Sequence, residues 1–407
     1  MSLKLVLISP TGTLIDEDRK LSPQLVKQLC GVIERLSAAG VRFAIWSNKR
    51  WTLKGGTTTL QDYVSERAKC AVEYVGAAAG SKYPARRRGG SVDPILKQFS
   101  VARNEILLVG NGQEDLMAGV NNQLLLVRPQ WYATESEYGF PVQSVAELER
   151  FCTIFGLRQH PIFWSIDDDG LRVRAMGPYS TRIKEYAGFG VDALQAAKYE
   201  KGSLEFWHRL AVSSLYFSGL IAQVDYIASY PGHEKGTKVR AVNDVISLLG
   251  KCFRKTFYPD LIERHTTAVK SAYATDAEKT FKNQLNTIRL NAHPHKYGGD
   301  TPLRSPINLK NKTVLVVDDI CTRGRSMDCA RAYIEAAGGS SVSFAWLKTI
   351  NSSYLRMNPA PTLKPFSANR IAKEPESQAY GYGDGIQDAE APAEIASLLD
   401  KYKAWKI

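Results

Sequence analysis

Short, almost wholly apolar runs alternate with helical patterns along the first third of the sequence. The run KLVLIS is followed by the helical pattern SPQLVKQLCGVIERLSAAG, then by VRFAIWSN, and later by EILLVGN and NQLLLVRP. Strands that alternate with helices usually form a parallel sheet wrapped by helices. The sequence therefore predicts an α/β fold for this part of the chain.

The same alternation resumes after the helical stretch SVAELERFCTIFG and a break at Gln159-His160-Pro161. The segments SLEFWHRLAVSSLYFSGLIAQ, KVRAVNDVISLLGKCFRK and SMDCARAYIEAAGG indicate helices, whereas VDYIASYPG and KTVLVVDD indicate strands. We predict two α/β domains, residues 1–155 and 160–407, with ligand loops at the carboxyl ends of the strands. The polar tail from SANRIAKEPESQ to GYGDGIQDAEAPAE is predicted to be a long loop or an edge element before a last short helix.

Bulk composition narrows the class of protein. With 407 residues, of which 44% are hydrophobic, the chain can bury a core, which argues against a disordered or fibrous protein. The net charge of +12 suits nucleic acid or phosphorylated metabolites, but the basic residues are spread over the whole chain. The six cysteines form no CxxC pair, and no apolar run approaches the roughly 20 residues of a membrane span. We expect a cytoplasmic protein with reduced thiols and no membrane association.

The stretch VLVVDDICTRGRS, residues 314–326, joins an apolar strand to two adjacent acids and then to a turn of hydroxyls, glycine and arginines. A Walker B strand needs an upstream GxxxxGK[ST] loop, and Gly250-Lys251 is instead followed by Cys252. A phosphorelay receiver needs well over about 100 further residues, and fewer remain. A buried strand ending in a solvated turn explains the apolar run but not the acid pair.

This stretch resembles the 5-phosphoribosyl-1-pyrophosphate (PRPP) motif of type I phosphoribosyltransferases. The resemblance implies that Asp318 and Asp319 are the catalytic acids, accepting hydrogen bonds from the two ribose hydroxyls. A loop at the helix N-terminus would bind the 5-phosphate through its backbone N–H groups. Its residues are Thr322, Arg323, Gly324, Arg325 and Ser326. Gly324 would let the loop close and the two hydroxyls would add donors, whereas the two arginines are not required by the pattern.

Other segments extend the resemblance. DYIASYPGHEKGTK lies where these enzymes place the first core strand and the pyrophosphate loop, which implies pyrophosphate contacts from Lys235, Gly236 and Thr237. AAKYEKGSLEFWHRLA and LIERHTTAVKSAYATDAEKTFKNQLNTIRLN are similar to the competence protein F branch, although Lys270 stands where glutamine is expected. Residues 270–282 are predicted to be either a mobile loop over the site or a charged solvated helix.

The resemblance implies a pentosyl-transferring glycosyltransferase. It would transfer 5-phosphoribosyl to, or from, an unidentified base or amine, with PRPP bound together with Mg²⁺ at Asp318 and Asp319. The competing hypothesis is a non-catalytic protein that senses PRPP or a nucleotide, as a regulator or a defence-system effector, with nucleic acid as a further partner. A homo-oligomer is compatible with either hypothesis.

Residues 3–130 resemble the haloacid dehalogenase (HAD) superfamily in four ordered segments, LVLISPTGTLI, FAIWSNK, DPILKQF and EILLVGNGQEDLMAG. The resemblance implies a Rossmann-like (Rossmannoid) parallel sheet. Four functional positions are changed and two are kept: Ser9 replaces the nucleophilic aspartate, Thr11 the general acid/base, Asp93 the lysine and Asn111 a metal-binding aspartate, while Ser47 and Asp115 remain. HAD phosphatases need a carboxylate nucleophile and Mg²⁺. We therefore predict an inactive domain that either senses phosphate, through donors such as Ser9, Gly12, Thr13 and Ser47, or acts as a scaffold.

The segment YPARRRGG, residues 83–90, carries three consecutive arginines between the second and third of these segments. As a loop it is expected either to bind nucleic acid phosphates or to form a solvated charged surface.

Overall fold

The computed structural model describes residues 3–16, 18, 20–53, 57–80, 82–132, 137–180, 182–236, 240–268 and 279–405. It is a mixed α/β structure with two large sheets. Within these ranges, no helix is both long enough and apolar enough to cross a membrane.

The first sheet has six strands, all parallel, in the spatial order β3-β2-β1-β4-β5-β6. These strands are β1 Leu5–Ile8, β2 Arg42–Trp46, β3 Val72–Val75, β4 Ile106–Val109, β5 Leu125–Pro129 and β6 Phe140–Val142. The accompanying helices are α1 Pro23–Ala38, α2 Leu60–Ala68, α3 Asp93–Phe99, α4 Gln113–Asn122 and α5 Val145–Arg150, which continues as a π-helical turn over Phe151–Gly156. The predicted parallel sheet wrapped by helices is confirmed.

Local sequence explains how these elements begin and end. The Ser22 hydroxyl accepts the backbone N–H of Leu25 at the start of α1, and Pro23 occupies the first turn, where its missing N–H costs nothing. Apolar side chains at helical spacing, such as Val26 and Leu29, are buried against the sheet. The helix therefore forms because one face is apolar and its first turn is capped.

The described residues of the second half form eleven strands. They are β7 Trp164–Asp168, β8 Leu171–Tyr179, β9 Tyr226–Ser229, β10 Thr256–Phe257, β11 Ile262–Arg264, β12 Ile288–Leu290, β13 Thr313–Cys321, β14 Ser340–Thr349, β15 Tyr354–Met357, β16 Ser377–Tyr380 and β17 Ile386–Gln387. Seven of them form a sheet in the order β10-β9-β13-β14-β8-β7-β17, and the others pair as β11-β12 and β15-β16. The strands from β10 to β8 in this order are parallel to one another. At the far end, β7 pairs antiparallel with β8, and β17 pairs antiparallel with β7.

In the part of the chain that the structure describes, six helices accompany this second sheet and the two strand pairs. They are α6 Lys184–Tyr199, α7 Leu204–Phe217, α8 Arg240–Phe253, α9 Phe281–Leu285, α10 Arg325–Ala336 and α11 Ala391–Ala404. The predicted last helix is therefore present, but it has 14 residues and is not short.

The two sheets share one continuous apolar cluster, to which α6, α7 and α8 contribute. The Tyr216 hydroxyl of α7 donates to the carbonyl of Arg103 at 2.9 Å, and the Asn104 side-chain amide donates to the carbonyl of Phe217 at 2.5 Å. The backbone N–H of Gly139 donates to the carbonyl of Lys251 in α8 at 3.2 Å. The halves are thus packed together, and the predicted boundary between residues 155 and 160 stays a prediction.

The register of β13 determines which side chains meet. Val317 lies beside Ser229 of β9, and Asp318 lies beside Ala345 of β14. Since β8, β9, β13 and β14 are parallel, their carboxyl ends lie at one edge of the sheet, where α/β proteins bind ligands. The acids and their following loop are therefore at the ligand-binding edge.

Candidate functional site

Asp318 and Asp319 are held by their own backbone at the end of β13. A carboxylate oxygen of Asp318 accepts the Asp319 N–H at 2.9 Å, and one of Asp319 accepts the Ile320 N–H at 2.7 Å. The Lys198 ammonium, from the end of α6, lies 3.7 Å from the second carboxylate oxygen of Asp319. Burial, together with the neighbouring Asp319 carboxylate, raises the pKa of Asp318 well above its ordinary value. The structure thus adds Lys198 to the predicted site.

The loop after the acids turns directly into α10. Gly324 is the N-cap residue and has a φ of +68°, a conformation that favours glycine. A side chain at this position would collide with the buried ring of Tyr354. The Thr322 hydroxyl hydrogen-bonds that of Thr349 at 3.0 Å. The loop is therefore fixed by a glycine turn that ends at the N-terminus of a 12-residue helix, a geometry that binds anions.

The remaining predicted loop residues differ in exposure. Arg323 is exposed, and its carbonyl accepts the N–H of Leu355 at 3.0 Å. The guanidinium of Arg325 lies 5.9 Å from the centre of the Phe281 ring. Ser326 is half-buried in the first turn of α10. All five predicted loop residues therefore lie in or directly before the first turn of this helix.

A fully buried lysine supports the loop from the neighbouring strand. The Lys348 ammonium donates to the carbonyls of Thr322 at 2.7 Å, Ser352 at 2.6 Å and Thr349 at 3.2 Å, and to the Ser352 hydroxyl at 2.7 Å. It lies 5.1 Å from the centre of the Trp164 ring. Burial lowers the pKa of Lys348 to about 8. This contact was not predicted, because it joins residues from two different strand ends.

The predicted pyrophosphate loop follows β9 and is held by a buried arginine. The Arg264 guanidinium donates to the carbonyl of Gly232, to the Thr287 hydroxyl at 2.6 Å and to the side-chain oxygen of Gln284 at 3.1 Å. The Tyr230 hydroxyl donates to the same Gln284 oxygen at 2.7 Å. The β11-β12 pair and α9 therefore fix the start of this loop.

The end of the same loop is exposed. The N–H of Lys235 donates to the Thr267 hydroxyl at 3.2 Å, and Gly236 has a φ of +78°. Thr237 lies outside the described residues, as do residues 270–278 of the predicted covering segment 270–282. Lys235 and Gly236 thus follow the same sheet edge as the acids, and the prediction for Thr237 stays a prediction.

The donor set suits Mg²⁺ only together with a substrate. Among residues covered by the structure, no group of three or more His, Cys, Asp or Glu side chains could hold a metal ion. Mg²⁺ is commonly bound by one or two carboxylates plus substrate phosphate oxygens, and Asp318 and Asp319 can supply the carboxylates. These two carboxylates would hold the ion jointly with a bound phosphate ester. The ion would then neutralise part of the negative charge of the phosphate.

The first sheet has a corresponding crevice at the carboxyl ends of β1, β2 and β4. Ser9, Ser47 and Asp115 are all buried there. The Ser47 hydroxyl accepts the N–H groups of Lys49 and of the Trp51 ring, both at 3.2 Å. Asp115 accepts the N–H of Gly112 at 2.9 Å, and its pKa is raised by burial.

The centre of this crevice contains the guanidinium of Arg86. It donates to the Ser9 hydroxyl at 3.0 Å and to the Trp46 carbonyl at 2.9 Å. It also lies 2.8 Å from a carboxylate oxygen of Asp115 and 3.7 Å from one of Glu114. Only 7% of Arg86 is exposed, so the side chain is an internal part of the crevice.

The structure bears on two of the sequence interpretations. The three-arginine segment is not a uniform solvated or nucleic-acid-binding surface, because Arg86 is buried whereas Arg87 and Arg88 are exposed. Asp93, aligned with the HAD lysine, is 53% exposed in its side chain and pairs with Arg103 at 2.7 Å. The residue that brings a positive charge into the crevice is therefore Arg86, which precedes the aligned segment.

Comparison with known proteins gives only short similarities. No protein-family model matches the chain, and no curated protein matches it. Similar solved structures include a hypothetical protein from Xanthomonas campestris (17% identity, 31% of this chain, 64% of that chain, TM-score 0.23). They also include a predicted HAD family hydrolase from Streptomyces avermitilis (17% identity, 32% and 70%, TM-score 0.23). A third is the cobalt-bound deoxy-D-mannose-octulosonate 8-phosphate phosphatase from Haemophilus influenzae (12% identity, 39% and 92%, TM-score 0.26).

This chain thus spans less than two thirds of the Xanthomonas protein. At these TM-scores the similarities define neither a family nor an activity for the chain.

Proposed function

We propose that the second half of this protein is a PRPP-binding phosphoribosyltransferase that transfers 5-phosphoribosyl to, or from, a nitrogenous acceptor. The observation that carries the proposal is the sequence of groups at one strand end. Two adjacent carboxylates lie near the carboxyl end of β13, and a glycine turn opens α10 three residues after the strand ends at Cys321. Carboxylates suit sugar hydroxyls and a helix N-terminus suits a phosphate, so one ribose phosphate satisfies both groups.

Each part of the site then has a chemical task. Asp318 and Asp319 accept hydrogen bonds from the two ribose hydroxyls, and their negative charge stabilises positive charge that develops on the ribose as pyrophosphate leaves. The loop from Thr322 to Ser326 binds the 5-phosphate. The loop that Arg264 anchors, with Lys235 and Gly236, faces the pyrophosphate. Lys348 holds this phosphate loop, residues 322–326, in position through its hydrogen bond to the carbonyl of Thr322.

We further propose that the first half is a HAD-like domain without phosphatase activity. Its parallel six-stranded sheet supports this proposal, and Ser9 and Ser47 directly follow β1 and β2 at the carboxyl ends of these strands. Ser9 stands at the position of the nucleophile, and a neutral hydroxyl cannot replace a carboxylate that must ligate a metal ion and attack phosphorus.

Calorimetric titration of PRPP with Mg²⁺ tests the transferase proposal. Wild type is expected to bind, and Asp318→Asn/Asp319→Asn is expected to lose binding. The matched control is Asp167→Asn/Asp168→Asn, because this second acid pair lies at the opposite edge of the same sheet, next to the start of β8. Absence of binding to wild type, or equal loss in the control, would contradict the proposal.

A non-catalytic PRPP or nucleotide sensor is the second candidate. The proximity of Lys198 to Asp319 favours it, since a carboxylate paired with an ammonium group stabilises developing positive charge less well. Measurement of pyrophosphate release with a panel of nucleobases and amines separates the two. Release supports the transferase, whereas tight binding without release in wild type and in Lys198→Met supports the sensor.

A further inference from the structure

The Arg86 backbone is held on both sides. Its N–H donates to the side-chain oxygen of Asn48 at 3.1 Å, and its carbonyl accepts the Ser91 hydroxyl at 2.6 Å and the Asn122 amide at 3.3 Å. The Asn122 amide also donates to the Ser91 hydroxyl at 2.9 Å. Side chains from three separate segments thus fix the backbone position from which the guanidinium enters the crevice.

The Arg86 guanidinium compensates the negative charge of the Asp115 carboxylate. The Asp115 side chain is only 3% exposed, and a carboxylate buried to this extent needs a cation or a proton. Arg86 provides that cation at 2.8 Å while two more of its contacts go to neutral oxygens, the Ser9 hydroxyl and the Trp46 carbonyl. Arginine stays charged at every accessible pH, so this compensation is permanent.

The same residues do not suit Mg²⁺. Asp115 is the only buried carboxylate among the aligned positions of the crevice that the structure describes, and it is already paired with Arg86. Ser9 and Asn111 add only neutral oxygens, and a side chain at Gly12 would collide with that of Asn111, so this asparagine is closely packed. A divalent ion therefore finds only one buried carboxylate among these positions, and that carboxylate is already paired with Arg86.

We propose that Arg86 is the resident cation of the first crevice and takes the place of a divalent metal ion there. The positive charge of the crevice is thus supplied by a side chain of the same polypeptide. The proposal does not depend on transferase activity in the second half.

Thermal unfolding tests the exclusion directly. All variants carry Asp318→Asn/Asp319→Asn, so that Mg²⁺ at the second sheet does not contribute. The Tm of the protein that retains Arg86 is expected to be unchanged by millimolar MgCl₂. A Tm rise with MgCl₂ that Asp115→Asn abolishes would overturn the proposal.

Chemical rescue tests the role of the guanidinium. Arg86→Ala is expected to lose roughly 5 °C or more in Tm, because Asp115 remains buried without its partner. Low millimolar guanidinium chloride should restore part of that loss in Arg86→Ala and leave wild type unaffected. Arg88→Ala, which changes an exposed arginine of the same segment, is the matched control and should show neither effect. Equal Tm values for Arg86→Ala and Arg88→Ala would refute the role of Arg86.

A double variant keeps the test valid if Arg86→Ala does not fold. Arg86→Met/Asp115→Asn removes both charges together, and it is expected to be more stable than Arg86→Met alone. If the double variant is the less stable of the two, Asp115 does not depend on Arg86 and the proposal fails.

Discussion

Replacement of Lys348 by methionine separates the support of the phosphate loop from the stability of the fold. Methionine has a similar length and apolar stem, so the space beside Trp164 stays filled. The change removes the ammonium group that donates to the carbonyls of Thr322, Thr349 and Ser352. It also removes a buried charge, and the two effects oppose each other.

The free energies of these two opposing effects can be compared. The fall of the Lys348 pKa from 10.5 to about 8 corresponds to a burial cost of about 3 kcal/mol at neutral pH. The Ser352 hydroxyl can still donate to one of the carbonyls of Thr322 and Thr349, so the variant leaves two carbonyls without a donor. These groups are partly exposed, and each should cost about 1 kcal/mol. The free energy of unfolding is therefore expected to change by less than about 2 kcal/mol.

The contribution of Lys348 to the free energy of unfolding depends on pH with a definite sign. Below pH 8 both folded and unfolded chains carry the protonated lysine, and the burial cost is constant. Between pH 8 and 10.5 the folded protein releases this proton while the unfolded chain retains it, so the contribution of Lys348 to stability rises with pH. The methionine variant lacks that rise.

Urea unfolding from pH 7 to 10 and calorimetric titration of PRPP measure both effects. PRPP affinity should fall by roughly tenfold or more, about 1.4 kcal/mol, because the Thr322 carbonyl loses its anchor. Lys310→Met, an exposed lysine that precedes the opposite end of β13, is the control. Unchanged PRPP affinity, or a stability loss above about 4 kcal/mol at pH 7, would refute the reasoning.

Three further predictions concern the same half of the molecule. Gly324→Val should reduce the free energy of unfolding by about 2–5 kcal/mol, through the left-handed φ and the collision with Tyr354; urea unfolding within 0.5 kcal/mol of wild type, on the order of measurement error, would contradict it. Asp328→Ala should cost about 3–5 kcal/mol, because it leaves Arg331 buried without the carboxylate 2.7 Å from it, and Asp328→Ala/Arg331→Met should recover part of that loss in the same assay. Asp318→Asn should raise the Tm of the ligand-free protein at pH 7.5 while PRPP binding is lost, since the raised pKa of this acid means that ionisation costs stability above its ordinary pKa; a lower Tm would contradict this sign.

Local sequence patterns predicted those helices and strands whose signals lie within a few neighbouring residues. The apolar run before Asp318 forms β13, and the pattern after it forms α10, although β13 extends two residues beyond the predicted acids to Cys321. The hairpin β7-β8 was not predicted. Its Asp169-Gly170 pair, with both φ values positive, is a typical hairpin turn signal that could have revealed it. The central strand β14 was also not predicted.

The candidate site was predicted only where its residues are close in sequence. Asp318, Asp319 and the loop to Ser326 form one segment, so their chemistry can be inferred from spacing. Lys348 contacts that segment from β14, and Lys198 does so from a helix more than a hundred residues away. Arg264, in β11, holds the neighbouring loop after β9. Their types give no local signal, because a lysine in an apolar run or an arginine in a short strand has many structural explanations. Only the sheet register brings them together.

The apolar cluster shared by the two sheets has a consequence for the order of folding. Chains fold as they are synthesised, from the N-terminus, and the first sheet is complete before α7 and α8 are made. These helices carry apolar residues such as Leu210 and Leu249, which are fully buried in the cluster. The first half therefore provides the surface on which the second half assembles. A second half made without the first would therefore leave the buried apolar faces of α7 and α8 without their packing partners.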